Sequence, residues 1–500
     1  MHPNLTLQST SSAAAGDRPD AFVPGLWVAS AALGTLAAWT EFAAEPGLNW
    51  LLFALGLALA QWLADRPSPM ELRSPRYQAI AMTVVLAGAA VVTGNRGDQF
   101  LLLLGTGWLA AVIACRAAAR PAALGAAALV RAPLAAPARI ASATAGAIGS
   151  GARAAGGEQS APLLRGALIA LAVVVLFIAL LGEADPTLAS LRDGFINLIG
   201  SVVGVVRIAF GVLVALAALG LLHATVRPAG ADAAAAAPGP ARRHTDAERM
   251  IILGSVAALF AAFLLLQLPY LFGNPGARPG SGVTLAAAVH RGFLEISIVV
   301  SLTAAILTLL ERHALRGGHE RWARLVAFVV LAECGLLLAS AYLRVDAYER
   351  AYGYTVLRLY VRLYIGTLAL VVALLGRELM GDLDLARFFW RAALAGLATL
   401  ALLGYWNYSA WIVRANLARY AETGLIDVGY LEHADVNGLP AVVESLPGLP
   451  AQAQAELHEW ILMRSLPARA TAAFDQPWYA WNLRRAAALA AYRGVRNDSP

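Results

Sequence analysis

Apolar residues in this chain gather into runs of the length that crosses a bilayer, which takes about 20 residues at about 1.5 Å each. Eleven spans are predicted, approximately 22-42, 49-64, 77-94, 99-115, 164-182, 197-222, 250-272, 292-310, 323-343, 353-376 and 387-405. The expected fold class is therefore all-α, a polytopic transmembrane helical bundle of about eleven spans. After residue 405 charged residues return and prolines punctuate the chain. Pro440, Pro450 and Pro477 each precede a run of helix formers, the first-turn position that proline tolerates, and Gly424 is placed to end a helix. Four or five short amphipathic helices are expected there, with Trp460, Leu462, Trp478 and Trp481 in a modest core.

The segments between runs divide the chain further. Residues 1-20 read as a disordered cytoplasmic tail and 21-116 as a four-span region. An Ala/Gly/Arg-rich cytoplasmic linker follows at 117-163, then a two-span region at 164-226. A second linker at 227-248 holds Ala233 to Ala237 between prolines, and 249-405 forms a five-span core. Residues 406-500 would be the small extracytoplasmic helical domain. Orientation follows from arginine, because short cytoplasmic loops keep basic residues. Alternate segments counted from the tail hold twenty arginines and the opposite set six, which places the N-terminus in the cytoplasm.

Composition sharpens this picture. Hydrophobic residues make up 59% of the chain and charged ones 14%, against roughly 25% charged in soluble domains, and the mean hydropathy is +0.63. Every one of the 38 basic residues is arginine. Without lysine there is no Schiff-base or phosphate-loop chemistry of the lysine kind. Cys115 and Cys334 lie in apolar runs, too few for a disulfide framework or a cysteine metal cluster. No HExxH, GxSxG or CxxC spacing occurs, and His290, His313 and His319 near span ends do not make a metal set. The glycine-rich stretch Gly273 to Gly282 follows no strand and precedes no Lys-Ser, so it reads as an outer loop. Neither a cofactor nor a nucleic-acid partner is implied.

Ionisable groups inside spans carry the sharpest functional signal, since each costs about 2.5 kcal/mol or more at the bilayer centre. They are Arg207, Glu295, Glu333, Arg358, Arg362 and Arg391. Arg358 and Arg362 share a helix face. Counting depth from the outer ends pairs Glu333 with Arg362 and Glu295 with Arg358, either lining a polar cavity open to the outside or tying three helices together. Gln267, Tyr270 and Asn274 could join the same surface, while Tyr342, Tyr348, Tyr352, Tyr354, Tyr360 and Tyr364 crowd the outer half of the pair as interfacial anchors would. Gly200 and Gly204 have the GxxxG spacing of close helix packing.

Several stretches carry a resemblance. They are Gln267-Leu-Pro-Tyr-Leu-Phe-Gly-Asn, His290-Arg-Gly-Phe-Leu-Glu295 and Tyr348-Glu-Arg-Ala-Tyr-Gly-Tyr-Thr-Val-Leu-Arg358-Leu. Asn416-Leu-Ala-Arg-Tyr, Leu425-Ile-Asp-Val-Gly-Tyr-Leu and Gly438-Leu-Pro-Ala-Val belong with them. Together they resemble the bacterial polytopic membrane proteins grouped as domain of unknown function 4173 and its relative 4153, over about 165-450 and most strongly over 262-440. Where members often carry Asn-Pro, this chain has Asn407-Tyr408. The resemblance implies a multi-pass inner-membrane protein and no particular activity. It directs attention to Gln267, Tyr270, Arg291, Glu295, Tyr352, Gly353 and Arg358 as matched positions.

Two functions remain open from the sequence. One is transport or binding of a polar or lipid-linked anion through an outward-facing cavity; three central arginines against two glutamates leave one spare positive charge that would suit such an anion, though the excess by itself decides little. The other is a non-catalytic scaffold or sensor in the lipid bilayer whose segment 406-500 binds an envelope protein. A membrane enzyme ranks behind both, because no nucleophile and base are paired in the sequence.

Overall fold

The structure is a computed structural model, and it describes residues 24-116, 126-154, 202-226, 245-272, 299-311, 318-462 and 477-497, apart from Ala43, Arg66, Ser68, Met70, Asp382 and His433. In chain order the longer described helices are α1 (Pro24–Thr40), α2 (Leu48–Asp65), α3 (Pro75–Val92), α4 (Arg96–Arg116) and α5 (Ala126–Ala154). They continue with α6 (Val202–Val226), α7 (Asp246–Phe272), α8 (Val299–Glu311), α9 (Glu320–Tyr352), α10 (Val356–Leu379) and α11 (Leu385–Tyr405). After these come α12 (Tyr408–Thr423), α13 (Val428–Leu431), α14 (Leu439–Ser445), α15 (Ala451–Trp460) and α16 (Leu483–Asn497). Seven of the described helices, α3, α4, α6, α7, α9, α10 and α11, are long and apolar enough to cross a membrane, and they mark the chain as a membrane protein. Leu48–Ala64 and Val299–Glu311 are shorter apolar helices. The predicted run 164-182 and the tail 1-20 lie outside the described residues.

Helix starts are set by short polar side chains that take up free N–H groups. Asp384 accepts from the Arg387 amide at 3.0 Å, Asn407 from that of Ala410 at 3.1 Å and Asp427 from that of Tyr430 at 2.9 Å. Before α7, Thr245 and Glu248 bond each other's backbone N–H at 2.9 and 3.3 Å, the reciprocal arrangement of a capping box. Pro75 opens α3, and Gly424 closes α12 in the left-handed region at φ 68°, as its place in the sequence suggested.

The chain divides into two compact units. In the first, which includes residues 1-42 and 137-226, α1 and α6 cross at glycine. A Cβ on Gly34 would meet the Gly211 carbonyl oxygen at 2.5 Å, the close backbone approach that small residues permit between membrane helices. Gly200 of the predicted GxxxG pair lies outside the described residues. The second half of α5 packs on α6, with the Thr144 hydroxyl donating to the Leu216 carbonyl at 3.0 Å. Within the stretch 117-163 read as a solvated linker, residues 126-154 thus form a helix; the rest of that stretch lies outside the described residues. Ala-rich sequence with Ala147 and Ile148 buried makes an adequate helix face even without a run of large apolar residues, because alanine fits against a glycine-bearing neighbour.

The second unit contains 43-59, 66-136 and 227-500. One core, around Val300, Leu307, Val330, Leu337, Val372 and Leu375, is shared by α7, α8, α9 and α10. Another, around Val413, Leu439, Val442, Leu457, Ile461 and Ala488, holds α12 to α16 together. Trp460 is buried and Leu462 packs alongside, as expected, but Trp478 and Trp481 are 70% and 48% exposed and do not belong to that core. A short 3-10 turn over Trp478–Ala480 directs them outward.

Connections within this unit alternate between two ends. The start of α2, the α3–α4 turn, the α9–α10 turn and the end of α11 all meet the helices that follow residue 405. At the other end Arg249, 1% exposed, is ion-paired with Asp246 and Glu311. Glu378, likewise buried, is gripped there by Arg387 and Arg391. Arg391, expected to lie within the apolar span, is thus the outer arm of a clamp over the α10–α11 turn.

Candidate functional site

Two polar clusters stand at the end of the second unit where the spans meet α12 to α16. The first belongs to the α9–α10 hairpin. Helix α9 runs 33 residues, about 50 Å at 1.5 Å per residue, well beyond the hydrocarbon thickness of about 30 Å. Its last turns carry Asp346, Glu349 and Arg350. Arg362 of α10 is ion-paired with Asp346 and lies 2.7 Å from Glu349, a contact in which the Nε–H is not aimed at the oxygen. Arg350 is ion-paired with the other oxygen of Asp346. Arg362 also lies over the Tyr342 ring, 4.9 Å from its centre.

This pairing replaces the expected one of Glu333 with Arg362. The sequence reading ended its span at residue 343, whereas the helix continues to Tyr352. Those extra turns shift the antiparallel register and set Asp346, not Glu333, across from Arg362. Glu333 sits about 20 Å from the start of α9, 9% exposed, and its Oε2 has no hydrogen-bond partner among the described residues.

Arg358 is held differently. Its guanidinium donates to the Gly353 carbonyl and lies 4.3 Å from the centre of the Tyr348 ring. Among the described residues it forms no ion pair with a carboxylate. Arg419 donates to the Arg350 carbonyl at 3.0 Å and to that of Ala351 at 2.7 Å, so two guanidiniums gather the free carbonyls at the α9 C-terminus, where cations are favoured. Gly353 follows at φ 86° and ψ 173°, a region open to glycine alone. Asn416 locks the turn by accepting from the Tyr354 N–H at 2.8 Å and donating to the Tyr354 carbonyl at 2.9 Å.

The second cluster is centred on Asp98, 2% exposed in the first turn of α4, where a helix N-terminus favours negative charge. The Tyr408 hydroxyl stands 3.0 and 3.1 Å from its two oxygens, and the hydroxyls of Tyr360 and Thr93 each donate to it at 3.1 Å. Around it, Asn437 accepts from the Gly94 N–H at 2.8 Å and donates to Thr93 at 3.1 Å. Asn482 donates to the carbonyls of Ala90 and Thr93 at 2.9 and 2.8 Å. Arg484 donates to the carbonyls ending α11, at 2.6 Å for Tyr405 and 3.3 Å for Trp406. Burial lowers the Arg484 pKa from its ordinary value, while the carboxylates of Asp435 and Asp98 act the other way. Burial first, and then the charge of Asp98, raise the Tyr408 hydroxyl above the usual phenol range.

A cavity of about 130 Å³ lies beside this cluster, lined by Asn95, Ser409, Tyr430 and Asp435 among aliphatic residues. The Tyr430 hydroxyl accepts from the Val356 N–H at 2.9 Å, and burial raises its pKa. The Ser409 hydroxyl, on the same wall, is buried and has no partner among the described residues.

Of the other residues predicted from sequence, Arg207 belongs to the first unit and lies 5.5 Å from the centre of the Phe42 ring. Tyr352 is 58% exposed and packs on Tyr348. The side chains of Gln267 and Tyr270, and the whole of Asn274, Arg291 and Glu295, lie outside the described residues. Asp98, Asp346 and Glu349 were missed because each falls just beyond an apolar run and reads locally as loop or cap, and Asp435 and Arg484 because they belong to the polar segment after residue 405 and are remote in sequence from the spans they meet. An acidic residue in a helix's first turn was the available signal for Asp98, and two acids one turn apart ahead of a Gly-Tyr-Thr turn were the signal for Asp346 and Glu349.

Among the described residues no group of three His, Cys, Asp or Glu side chains is arranged to hold a metal ion. Comparison with curated proteins and with solved structures returned no match. A family model described as "Domain of unknown function (DUF4153)" matches residues 80-445, a stretch that takes in the hairpin cluster and Asp98, Tyr360, Tyr408 and Asp435 of the second, though not Asn482 and Arg484. The chain belongs to the DUF4153 family.

Proposed function

We propose that this protein binds, and passes through the membrane, a polar or lipid-linked anion that it meets at the outer end of the α9–α10 hairpin. The carrying observation is Arg358, a guanidinium at that level with no carboxylate partner among the described residues. Arg362, by contrast, is neutralised by two acids. Exposed Tyr342, Tyr352 and Tyr364 surround the same end, an aromatic girdle of the kind found at headgroup level. A phosphate or carboxylate reaching Arg358 would gain charge-assisted bonds that no carboxylate among the described residues supplies. The proposal includes an inner-membrane location, about eleven spans, a cytoplasmic N-terminus, residues 406-500 outside, and kinship with domain of unknown function 4173.

The test is a titration of the full-length protein in nanodiscs or detergent with phosphatidylglycerol, phosphatidylcholine and inorganic phosphate. Saturable binding of the anionic lipid or of phosphate is expected, weakened about tenfold in Arg358→Gln, equivalent to about 1.4 kcal/mol. Equal binding by both variants, or none beyond that of the zwitterionic lipid, would discard the reading. Preference between phosphate and phosphatidylglycerol separates a soluble anion from a lipid-linked one.

A second reading, a scaffold or sensor, is favoured by a different observation. Asn437, Asn482, Arg484 and Asn416 from the segment after residue 405 bind backbone groups at the ends of α3, α9 and α11. A partner pulling on that segment would therefore act directly on the spans.

A further inference from the structure

Glu333 is a second buried charge problem, independent of the anion reading. It lies on the face of α9 that also carries Val330 and Leu337, one helical turn to either side, and both neighbours are fully buried in the core shared with α7, α8 and α10. The adjoining Cys334 thiol lies within hydrogen-bonding reach of Thr303 on α8. Among the described residues no cation faces it from the packed elements. On α7 the charged residues Asp246, Glu248 and Arg249 sit at the far end, as does Glu311 on α8. Arg377 and Glu378 close the last turn of α10, while Arg358 and Arg362 lie at its other end, bound as described above. On α9 itself Arg324 is paired with Glu320, and Arg344 is three turns away from Glu333. An ionised carboxylate with a bare oxygen in such a place would lack both water and a counter-charge, a cost that buried acids avoid by keeping the proton.

We infer that Glu333 is a proton-binding site of the membrane bundle, occupied at neutral pH and able to exchange its proton. The side chain would give the protein a titratable position near the middle of α9, where proton gain and loss changes the polarity of the α7–α8–α9–α10 core.

Infrared difference spectroscopy of the full-length protein, wild type minus Glu333→Gln, reads the state directly. The expected result is a protonated-acid C=O band at neutral pH that shifts down in D₂O and gives way to carboxylate bands in alkali. A carboxylate signal at neutral pH would overturn the inference by revealing a counter-charge. An acid band indifferent to both D₂O and alkali would overturn it by showing an inert group. Should Glu333→Gln fail to fold, dicyclohexylcarbodiimide labelling of the wild type serves. The acid's proton moves to a carbodiimide nitrogen, its oxygen adds to the central carbon, and an acyl shift from oxygen to nitrogen leaves a stable N-acylurea on the peptide. Labelling at Glu333 should fall roughly tenfold per pH unit once the acid ionises, and a yield unchanged by pH, or no adduct there, counts against the proton site. None of these outcomes depends on whether Arg358 binds an anion.

Discussion

The Tyr408 hydroxyl stands 3.0 Å from one carboxylate oxygen of Asp98 and 3.1 Å from the other, across more than three hundred residues of sequence. Tyr360 completes the set, its hydroxyl 3.1 Å from both Asp98 and Tyr408. Three secondary-structure elements, α4, α10 and α12, are thereby joined at one buried charge. A hydrogen bond to a buried ion is worth about 1.5–3 kcal/mol. Tyr408→Phe should therefore cost about that much and lower the thermal midpoint in detergent, with Tyr360→Phe costing less because Tyr408 still spans both oxygens. In Asp98→Asn the two tyrosine changes should lose most of their effect, and equal costs in both backgrounds would show that the hydroxyls act elsewhere.

Glu349 is fully buried and Arg362 partly so, at 16% exposed. Removing one partner of a buried pair strands the other, at about 3–5 kcal/mol. Arg362→Gln should thus unfold the α9–α10 hairpin end more readily than Glu349→Gln, since it strands Glu349 and leaves Asp346 to Arg350 alone, whereas Glu349→Gln leaves Arg362 still paired with Asp346. The double change should recover part of the loss. Limited proteolysis near Gly353 or thermal melts would read the order, and a double variant as unstable as the sum of the singles would mean that the two do not interact.

Much of this architecture was legible because a bilayer imposes a coarse code. Ten of the eleven predicted runs fall on described helices or overlap them, since long apolar stretches have few alternatives in lipid. Helix ends were less readable. Residues 344-352 carry Asp346, Glu349 and Arg350, which hydropathy assigns to a loop, yet an α-helix continues past the membrane wherever its polar turns find partners, here Arg362 and Arg419. The wrong end displaced the whole ion-pair register. Asp98 escaped for a related reason: its partners Tyr360 and Tyr408 are remote in sequence, and only tertiary packing brings their hydroxyls to it.

Gly353 and Gly424 both have positive φ, but their surroundings differ. A Cβ on Gly353 would come within 2.8 Å of Asn416 Oδ1, whereas nothing lies within 4 Å of one on Gly424. Gly424→Ala should cost about 1 kcal/mol for the left-handed backbone alone. Gly353→Ala adds a collision with the side chain that locks the hairpin turn and a backbone region closed to alanine, so about 2 kcal/mol or more is expected. Thermal melts of the two variants decide the order, and equal losses would show that Asn416 yields without consequence.

Alkali offers the last test, helped by the absence of lysine from the chain. Tyr408 and Tyr430, outside the apolar spans, are held as neutral phenols with pKa raised, in both cases chiefly by burial. Unfolded tyrosine titrates near pH 10. A group whose folded pKa lies above its unfolded value contributes stability that is whole below the unfolded value and declines as pH rises toward the folded one. The folded protein should therefore hold its midpoint to about pH 9.5 and lose stability steadily above pH 10. Lysine, which normally titrates in that window, cannot contribute. Tyr430→Phe keeps the ring but removes the titration, and although it gives up the bond from the Val356 N–H, it should flatten the alkaline decline. Absorbance at the tyrosinate band should show late-ionising tyrosines in the folded wild type and one fewer in each phenylalanine variant. If all fourteen tyrosines ionised together near pH 10 while the protein stayed folded, the buried-phenol description of this cluster would fail.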